Sequence, residues 1–336
     1  ALQSLQVLYE REERYNDLVE LYEREAELGG DVAREVSLWA RIGAISLDEL
    51  MDEDRSLAAW QKVIELDPRN REALFASRNL YRRTSQYEDL VQVVETILTL
   101  DGVDGDEVVE LYVELGSIQG ELLGNSSAAI AAWRSVLETN PAHRVALNSL
   151  EQLYSDVGEW EPCVEVLQQK VAVLEAVGDE DTHEDQIELQ LRIADLWENK
   201  VGNKDSAISA YASVLAVDPT HMMASRALEA LYTETEQWEH LPELFMMRVE
   251  HTDDAFDRLE LLRGAAGVYE EHLDQPLYAL LYMCRAYMEN HEDEQTVEDL
   301  ERLGQATGEW DEIVETYSNM LAQLEGTPEA FQLHLR

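Results

Sequence analysis

Cysteine, proline and glycine are scarce in this chain of 336 residues, and each shortage limits the structural classes to which the protein can belong. Seven prolines and sixteen glycines are few for this length and fall mostly between periodic segments, which predicts a mostly helical protein. The two cysteines, Cys163 and Cys284, stand at apolar positions typical of small core residues. No signal peptide, lipidation motif or long apolar run is present, so we expect no membrane insertion. The compartment stays unknown, with the cytoplasm slightly favoured.

Basic side chains are also scarce, because 25 Lys and Arg face 71 Asp and Glu and leave a net charge of −46. Lysine occurs only at Lys62, Lys170, Lys200 and Lys204. This balance excludes nucleic acid as a ligand, since phosphates require basic side chains, and it disfavours docking on an anionic membrane. Three interpretations remain open: a high-salt habitat in which screening removes self-repulsion, a solvated acidic surface without a special habitat, and a preference for basic partners.

A stretch of nine residues returns at nearly constant spacing. The sequence WQKVIELDP at Trp60–Pro68 is followed by WRSVLETNP at Trp133–Pro141 and YASVLAVDP at Tyr211–Pro219. A degraded copy, YMCRAYMEN, occupies Tyr282–Asn290, and the steps between copies are 73, 78 and 71 residues. Self-similarity at such a period indicates an array of stacked structural repeats.

A second block of twenty residues recurs five times without gaps. Leucine stands second in every copy, tyrosine stands third in four copies, and an aromatic residue stands ninth in all five. The apolar spacing on both sides of a polar run predicts a helix, a tight turn and a second helix, with the ninth aromatic plugging the helix pair. The copies are Val7–Ala26, Asn79–Leu98, Gln152–Val171, Ala230–Val249 and Arg302–Leu321.

The first half of each repeating unit predicts another helical hairpin. Its leading helix carries a small residue at one aligned position, which lets a neighbouring helix come close; these residues are Gly43, Gly116, Ala194 and Ala265. Its second helix carries the Trp or Tyr of the nine-residue stretch and ends at Asp-Pro or Asn-Pro, because proline cannot continue a helix. Asp67 and Asn70 are equally suitable N-caps for the helix that follows.

Each module therefore contains four helices in two hairpins, and the whole chain is predicted to form one array of nine hairpins and about nineteen helices. The chain begins inside a repeat and without methionine, so we expect it to be a piece of a longer protein. The expected module bounds are 1–33 for a half module, then 34–105, 106–184, 185–253 and 254–326, with the start of another module at 327–336.

The hairpin pattern resembles the tetratricopeptide repeat. This resemblance implies an all-α solenoid, a right-handed superhelix whose concave groove binds peptides or proteins, with no cofactor and no catalysis of its own. The second hairpin of each module departs from the family pattern, because Gln6, Arg78, Glu151, Glu229 or Glu301 replaces the small residue. The matching residues are Trp39, Gly43, Trp60 and Pro68 in one hairpin, Gly116, Ala129, Trp133 and Pro141 in another, and Ala194, Ala207, Tyr211 and Pro219 in a third.

The resemblance places the groove along the first helix of each hairpin. Asn79 and Asn148 are expected to hydrogen-bond to the backbone of an extended peptide. The family's clamp for chaperone tails needs a Lys and Asn set that this sequence lacks. The residues expected to contact a partner are Phe75, Asn79, Arg82, Arg83, Asn148, Gln152, Arg226 and Tyr269.

Five arginines within fifteen residues stand out in so acidic a chain. As a binding site, they would grip a carboxylate or phosphate through bidentate contacts. As structural residues, they would pair with neighbouring Glu and Asp and hold the repeats together, and this is the favoured interpretation. The arginines are Arg69, Arg71, Arg78, Arg82 and Arg83.

Acidic tracts are the remaining candidates for a metal site. None matches the twelve-residue calcium loop, and His183 and His291 lack the partners that a zinc site requires, so solvated linkers are favoured. No phosphate-binding loop, dinucleotide fingerprint or nucleophile elbow is present, and no cofactor is expected. The tracts lie at 101–107, 178–184 and 291–294.

The sequence thus favours a non-catalytic scaffold that binds a peptide or protein partner, with a preference for basic partners, in an acidic concave groove. One alternative is a self-assembling, structural or regulatory spacer segment of a large multidomain bacterial protein. Another is an enzyme whose catalytic domain lies outside this sequence.

Overall fold

The computed structural model describes residues 2–324, apart from the side chains of residues 2, 3 and 180. Eighteen α-helices run through these residues, and no strand occurs among them. The prediction of an all-α protein built from helical hairpins is therefore confirmed. The further helix start expected within 327–336 lies outside the described residues. Within 2–324, none of the helices combines the length and the apolar character that crossing a membrane requires.

The chain divides into two compact units, and unit 1 comprises Ala1–Glu159. Helices pack in sequence as the hairpins α1–α2, α3–α4, α5–α6 and α7–α8, and α9 comes last. A π-helical turn, Ile118–Leu122, continues α7. The helices are α1 (Leu2–Arg11), α2 (Tyr15–Glu27), α3 (Val32–Asp48), α4 (Glu53–Leu66), α5 (Arg71–Arg83), α6 (Tyr87–Leu98), α7 (Gly105–Ser117), α8 (Ser126–Thr139) and α9 (Arg144–Val157).

Unit 2 comprises Trp160–Arg336. Its first helix packs against the second, and four hairpins follow, α11–α12, α13–α14, α15–α16 and α17–α18. A π-helical turn, Leu196–Val201, continues α11, and 3-10 turns precede α11 and α14. The helices are α10 (Trp160–Val177), α11 (His183–Asp195), α12 (Lys204–Val217), α13 (Met222–Glu234), α14 (Leu241–Glu250), α15 (Ala255–Glu271), α16 (Pro276–Glu289), α17 (Glu294–Thr307) and α18 (Trp310–Gln323). A single array through both units, with the module bounds given above, stays a prediction.

The aligned small residues and the recurrent Trp explain how the first hairpin of a module closes. Trp60 and Trp133 are buried in their hairpins. A Cβ atom placed on Gly43 would lie 2.6 Å from Cε2 of Trp60, and one on Gly116 would lie 2.5 Å from Cε2 of Trp133. Because no side chain fits between backbone and indole, the predicted close approach of the two helices is confirmed at both positions.

The fourth module is shifted by one residue from the predicted alignment. Its α16 ends at the C-cap Asn290, which follows the equivalent C-cap Asp218 by 72 residues rather than 71. Met283 is therefore the buried counterpart of Trp133, whereas Tyr282 is only half-buried, and the predicted equivalence of Tyr282 is wrong.

The same shift applies to the small residue of α15. Gly43 and Gly116 stand twelve residues after the N-caps Asp31 and Asp104, and Ala266 stands twelve residues after Asp254. Ala266 therefore replaces the predicted Ala265, although both alanines are buried.

The N-caps of the helices that follow the nine-residue stretch resolve the choice between Asp67 and Asn70. Asn70 Oδ1 accepts a hydrogen bond from the Ala73 N–H at 3.1 Å, whereas Asp67 is the C-cap of α4. His143 and His221 cap α9 and α13 through Nδ1, each at 3.2 Å, which the sequence pattern did not predict. Asp293 caps α17, and the hydrogen bond from the Thr296 hydroxyl lowers the pKa of its carboxyl.

All four long first helices end in the same way. In each case a backbone N–H just after the helix donates a hydrogen bond to the carbonyl that lies six residues earlier in the chain. This bond turns the chain sharply into the next helix. Asp52, Asn125 and Asn203 also cap that next helix with their side chains, whereas Gln275 is followed by Pro276 at the first helical position. The bonds are Asp52 N to Ser46 O at 2.8 Å, Asn125 N to Gln119 O at 2.7 Å, and Asn203 N to Trp197 O and Gln275 N to Tyr269 O at 2.8 Å each.

The aromatic residues at the ninth position of the twenty-residue block are less buried than predicted. Tyr15, Tyr87, Trp160 and Trp238 are half-buried, and Trp310 is 47% exposed. The prediction of a buried plug is therefore wrong for Trp310.

The prediction for the cysteines is confirmed, because Cys163 and Cys284 are both buried and burial raises the pKa of the Cys284 thiol.

Candidate partner-binding surface

Four of the predicted contact residues lie on α5 in unit 1. Phe75 is half-buried beneath the Arg71 guanidinium, whose Cζ lies 5.2 Å from the ring centroid. Asn79 is exposed one turn further along, and its side chain makes no hydrogen bond within the described part of the chain. This face of α5 therefore carries a half-buried ring and an exposed amide, and its contact with a partner stays a prediction.

The predicted contact residues Arg82 and Arg83 already have carboxylate partners on the flanking helices. Arg82 Nη2 lies 2.5 Å from Glu114 Oε1 on α7, and Arg78 Nε lies 2.6 Å from Glu114 Oε2. Arg83 pairs with Glu53 on α4. The two arginines thus link α5 to a helix on either side.

The other two arginines of the cluster are held in the same way. Arg69 donates to the Thr99 carbonyl at 2.8 Å and lies 3.6 Å from Asp101, while Arg71 lies 2.8 Å from Glu107. All five arginines therefore contact carboxylates of neighbouring elements. This geometry supports their interpretation as links between repeats, and a direct role of Arg82 and Arg83 in partner binding stays a prediction.

Asn148 and Gln152 lie one turn apart on α9. Asn148 is exposed and forms no hydrogen bond with any described residue, whereas Gln152 Nε2 donates to Asp156 Oδ1 at 2.8 Å. Asn148 stands five residues after its N-cap His143, as Phe75 does after Asn70. Gln152 and Asn79 likewise stand nine residues after these caps. The predicted residues of α5 and α9 therefore occupy the same two positions of a repeated helix face.

In unit 2, Arg226 of α13 borders an open cleft of 590 Å³ between α13 and α14. Arg248 of α14 crosses the cleft to Glu229, at 2.6 Å between Nη1 and Oε2. Arg226 is exposed and has no ion-pair partner among the described residues. It is therefore the one predicted contact arginine whose guanidinium is available within the described structure.

Tyr269 of α15 lies against two tyrosines of α16. Its ring centroid is 5.3 Å from that of Tyr278 and 5.3 Å from that of Tyr282. Burial raises the pKa of the Tyr269 hydroxyl, so the phenol stays protonated. Tyr278 is half exposed and was not predicted, although its spacing of four residues from Tyr282 puts both on one helix face.

The eight predicted residues thus form two sets, one on α5 and α9 of unit 1 and the other on α13 and α15 of unit 2. One continuous groove through both sets stays a prediction. Within residues 2–324, no three His, Cys, Asp or Glu side chains come together in a way that could hold a metal ion.

Comparison with known proteins agrees with the helical-hairpin architecture. Residues 1–34 match the family model described as the tetratricopeptide repeat. These residues, which include the hairpin α1–α2, are therefore similar to a tetratricopeptide repeat. No curated protein matches the chain.

Solved structures of similar proteins include tetratricopeptide-repeat proteins. The chain is 20% identical to YrrB, described as a protein with an unusual peptide-binding site, over 64% of this chain and 97% of that one, with a TM-score of 0.32. It is 15% identical to a protein from Parabacteroides merdae over 80% and 98%, with a TM-score of 0.31. It is 12% identical to yeast Tom70 over 100% and 94%, with a TM-score of 0.30.

Proposed function

We propose that the chain is a non-catalytic scaffold that binds a peptide or protein along the first helices of its hairpins. The observation that carries this proposal is the repeated face of α5 and α9. There, Asn79 and Asn148 are exposed, and their side-chain amides have no hydrogen-bond partner among the described residues. An asparagine amide both donates and accepts, so it can bond to the peptide backbone of any sequence.

Charge supports a preference for basic partners. The net charge is −46, and the arginines of the α5 cluster are already paired with carboxylates. Because this net charge already counts the paired arginines, the remaining carboxylates give the chain a negative potential, which attracts cationic polypeptides and speeds their association at low ionic strength. Tetratricopeptide-repeat proteins are generally non-catalytic interaction scaffolds, which agrees with this role.

Selection of a random peptide library on the full chain tests the proposal. We expect the selected peptides to be rich in Lys and Arg, and their Kd to rise about tenfold or more between 50 and 500 mM NaCl because salt screens exposed charges. The double variant Asn79→Ala, Asn148→Ala is expected to weaken binding about tenfold, as two hydrogen bonds are lost.

Gln92→Ala is the matched control, because Gln92 is an exposed amide on the neighbouring helix α6. Neutral or acidic peptides, or equal affinities for the double variant and the control, would contradict the proposal. Charge reversal at Arg82 and Arg83 is a poorer test, since it would place new carboxylates beside Glu114 and Glu53 and destabilise the fold itself.

Self-association is a second candidate function, and one observation on α18 favours it. Val314 is 61% exposed, whereas Val91 at the equivalent position of the twenty-residue block is 7% exposed, and Val19 is fully buried. Trp310 lies one turn before Val314 and is also exposed. A second copy of the chain that packs against this face of α18 would bury both side chains.

Sedimentation velocity across a hundredfold concentration range tests this candidate. If α18 mediates self-association, the unmodified chain forms a larger species as concentration rises, and Val314→Asp stays monomeric because a carboxylate cannot be buried there unpaired. Ser318→Asp is the control, as it adds the same charge at an exposed position of the same helix. A monomer at every concentration would exclude the self-assembling role.

A further inference from the structure

A second groove opens in unit 1, between α6 and α8 and above α7. Its volume is 400 Å³, within the range of sites that bind small ligands or a few side chains. The groove contains none of the residues predicted to contact a partner. It is lined by Glu95, Leu98 and Thr99 of α6, by Tyr112, Leu115 and Gln119 of α7 and its π-helical turn, and by Ala128, Ala131, Ala132 and Ser135 of α8.

The floor of this groove is built from small side chains. Ala128, Ala131, Ala132 and Ser135 recur at helical spacing, so they share one face of α8. Leu98 and Leu115 add apolar side chains to the lining. A row of methyl groups leaves room for an aliphatic or aromatic side chain and gains from covering it.

Gln119 gives the groove a polar contact that the fold does not use. The residue is only 9% exposed, and its side-chain amide forms no hydrogen bond with any other described residue. Its backbone carbonyl is already occupied by the Asn125 N–H at 2.7 Å. The amide is thus free to donate to and accept from a ligand, and π-helical turns are frequent at functional sites. Both facts favour a ligand that presents a peptide-like donor and acceptor at this position.

Glu95 defines the charge of the rim. It is exposed and has no ion-pair partner among the described residues, and no Lys or Arg lines the groove. The rim therefore disfavours phosphates and carboxylates and favours a cation beside the apolar floor. An apolar small molecule would fill the floor but would leave the Gln119 amide unpaired.

We propose that this groove binds a polypeptide segment in which an aliphatic side chain is followed by Lys or Arg. The aliphatic side chain lies on the alanine floor, the Gln119 amide bonds to the adjacent peptide group, and the basic side chain pairs with Glu95. The proposal rests on the proposed function for the basic character of the partner, but it concerns a separate surface from the face of α5 and α9.

Alanine-methyl NMR spectra of the full chain test this proposal with defined probes. The probe is an acetylated and amidated hexapeptide, Gly-Ser-Leu-Lys-Ser-Gly, and the matched peptides carry Ser in place of Leu or Glu in place of Lys. We expect the Leu-Lys peptide to shift the methyl resonances of Ala131 and Ala132, and the matched peptides to bind at least about fivefold more weakly.

Two variants locate the site. Ala131→Trp fills the groove from an exposed position and is expected to abolish the shifts, whereas Ser127→Trp adds the same bulk outside the groove and is expected to leave them unchanged. Gln119→Leu keeps the volume and removes the amide, and is expected to weaken binding about fivefold or more. Unchanged circular dichroism and melting of each variant show that the fold is intact.

Three results would overturn the proposal. The first is the absence of any methyl shift up to about 5 mM peptide, several times the Kd of a weak, millimolar complex. The second is shifts that persist in Ala131→Trp. The third is concentration-dependent shifts without peptide, which would make a second copy of the chain the occupant. If peptides instead act only through Asn79 and Asn148, the proposed function stands and the groove between α6 and α8 does not bind the segment. If binding is lost in Ala131→Trp and the asparagine variants have no effect, the groove binds the segment and the face of α5 and α9 does not.

Discussion

Replacing Trp133 by alanine is expected to lower the free energy of unfolding by about 3–5 kcal/mol, as large-to-small changes of buried aromatics do. The indole is buried and lies directly against the backbone of Gly116. Because both neighbouring helices are held by further contacts, the space cannot close completely, and the remaining cavity adds to the lost apolar burial. Urea denaturation followed by circular dichroism measures the loss.

Trp310→Ala is the control for this prediction. Its indole is 47% exposed, so the same truncation is expected to cost less than about 1 kcal/mol. Equal losses at Trp133 and Trp310 would mean that the indoles do not differ in packing. The hairpin architecture proposed for the α7–α8 pair would then be wrong.

The change Gly116→Leu is expected to destabilise the chain by about 3 kcal/mol or more, at the upper end of the range for overpacking. The first added carbon atom would already lie 2.5 Å from Trp133 Cε2, and the indole is buried in its hairpin. Either α7 and α8 move apart or the indole leaves its position. Both outcomes expose apolar surface, which urea denaturation detects.

Gly267→Leu is the control that separates the steric clash at Gly116 from the general effect of replacing a glycine inside a helix. Gly267 also lies inside a helix, α15, but no atom comes within 4 Å of an added Cβ. Leaving glycine in an open helical position stabilises a helix by about 0.5–1 kcal/mol, so this variant is expected to be neutral or more stable. A loss of stability comparable to that of Gly116→Leu would remove the steric explanation.

The double variant Gly116→Leu, Trp133→Ala adds a sharper measurement. The new leucine would occupy part of the space that the indole leaves, so the combined loss is expected to be smaller than the sum of the single losses. Additive losses would mean that the two residues do not share a contact.

The helices and their pairing follow from local sequence, which explains why they could be predicted. Polar runs that interrupt apolar spacing predict turns regardless of the rest of the chain. The contact between Gly116 and Trp133 is equally local, because both residues belong to one hairpin. A small residue that recurs opposite a large one therefore predicts a close approach of the two helices that carry them.

Alignment by residue type failed where the pattern was degraded. Tyr282 resembles the Trp and Tyr of the other modules, yet Met283 is the buried residue at the equivalent depth. The position of the helix ends decides which side chain points inward, and these ends are fixed by capping bonds at Asp293 and Asn290 rather than by aromatic character. Register read from caps would have identified Met283.

Partners that lie far apart in sequence could not be predicted. Arg78 and Glu114 are separated by 36 residues, and many other carboxylates are equally near in the sequence. The exposure of Trp310 could not be predicted either, since it depends on contacts beyond its own helix. The groove at Gln119 was missed for a similar reason. Its only local signal is the run of alanines that begins at Ala128.

The sharp endings of the first helices have a consequence for how this chain can change length. Asp52, Asn125, Asn203 and Gln275 stand at the same point of the backbone path, and each is followed by the start of an equivalent helix. A genetic duplication or deletion between any two of these codons joins the existing end of one first helix to the existing start of an equivalent second helix. Whole modules can thus be gained or lost within a unit by recombination, with no new junction geometry to be selected.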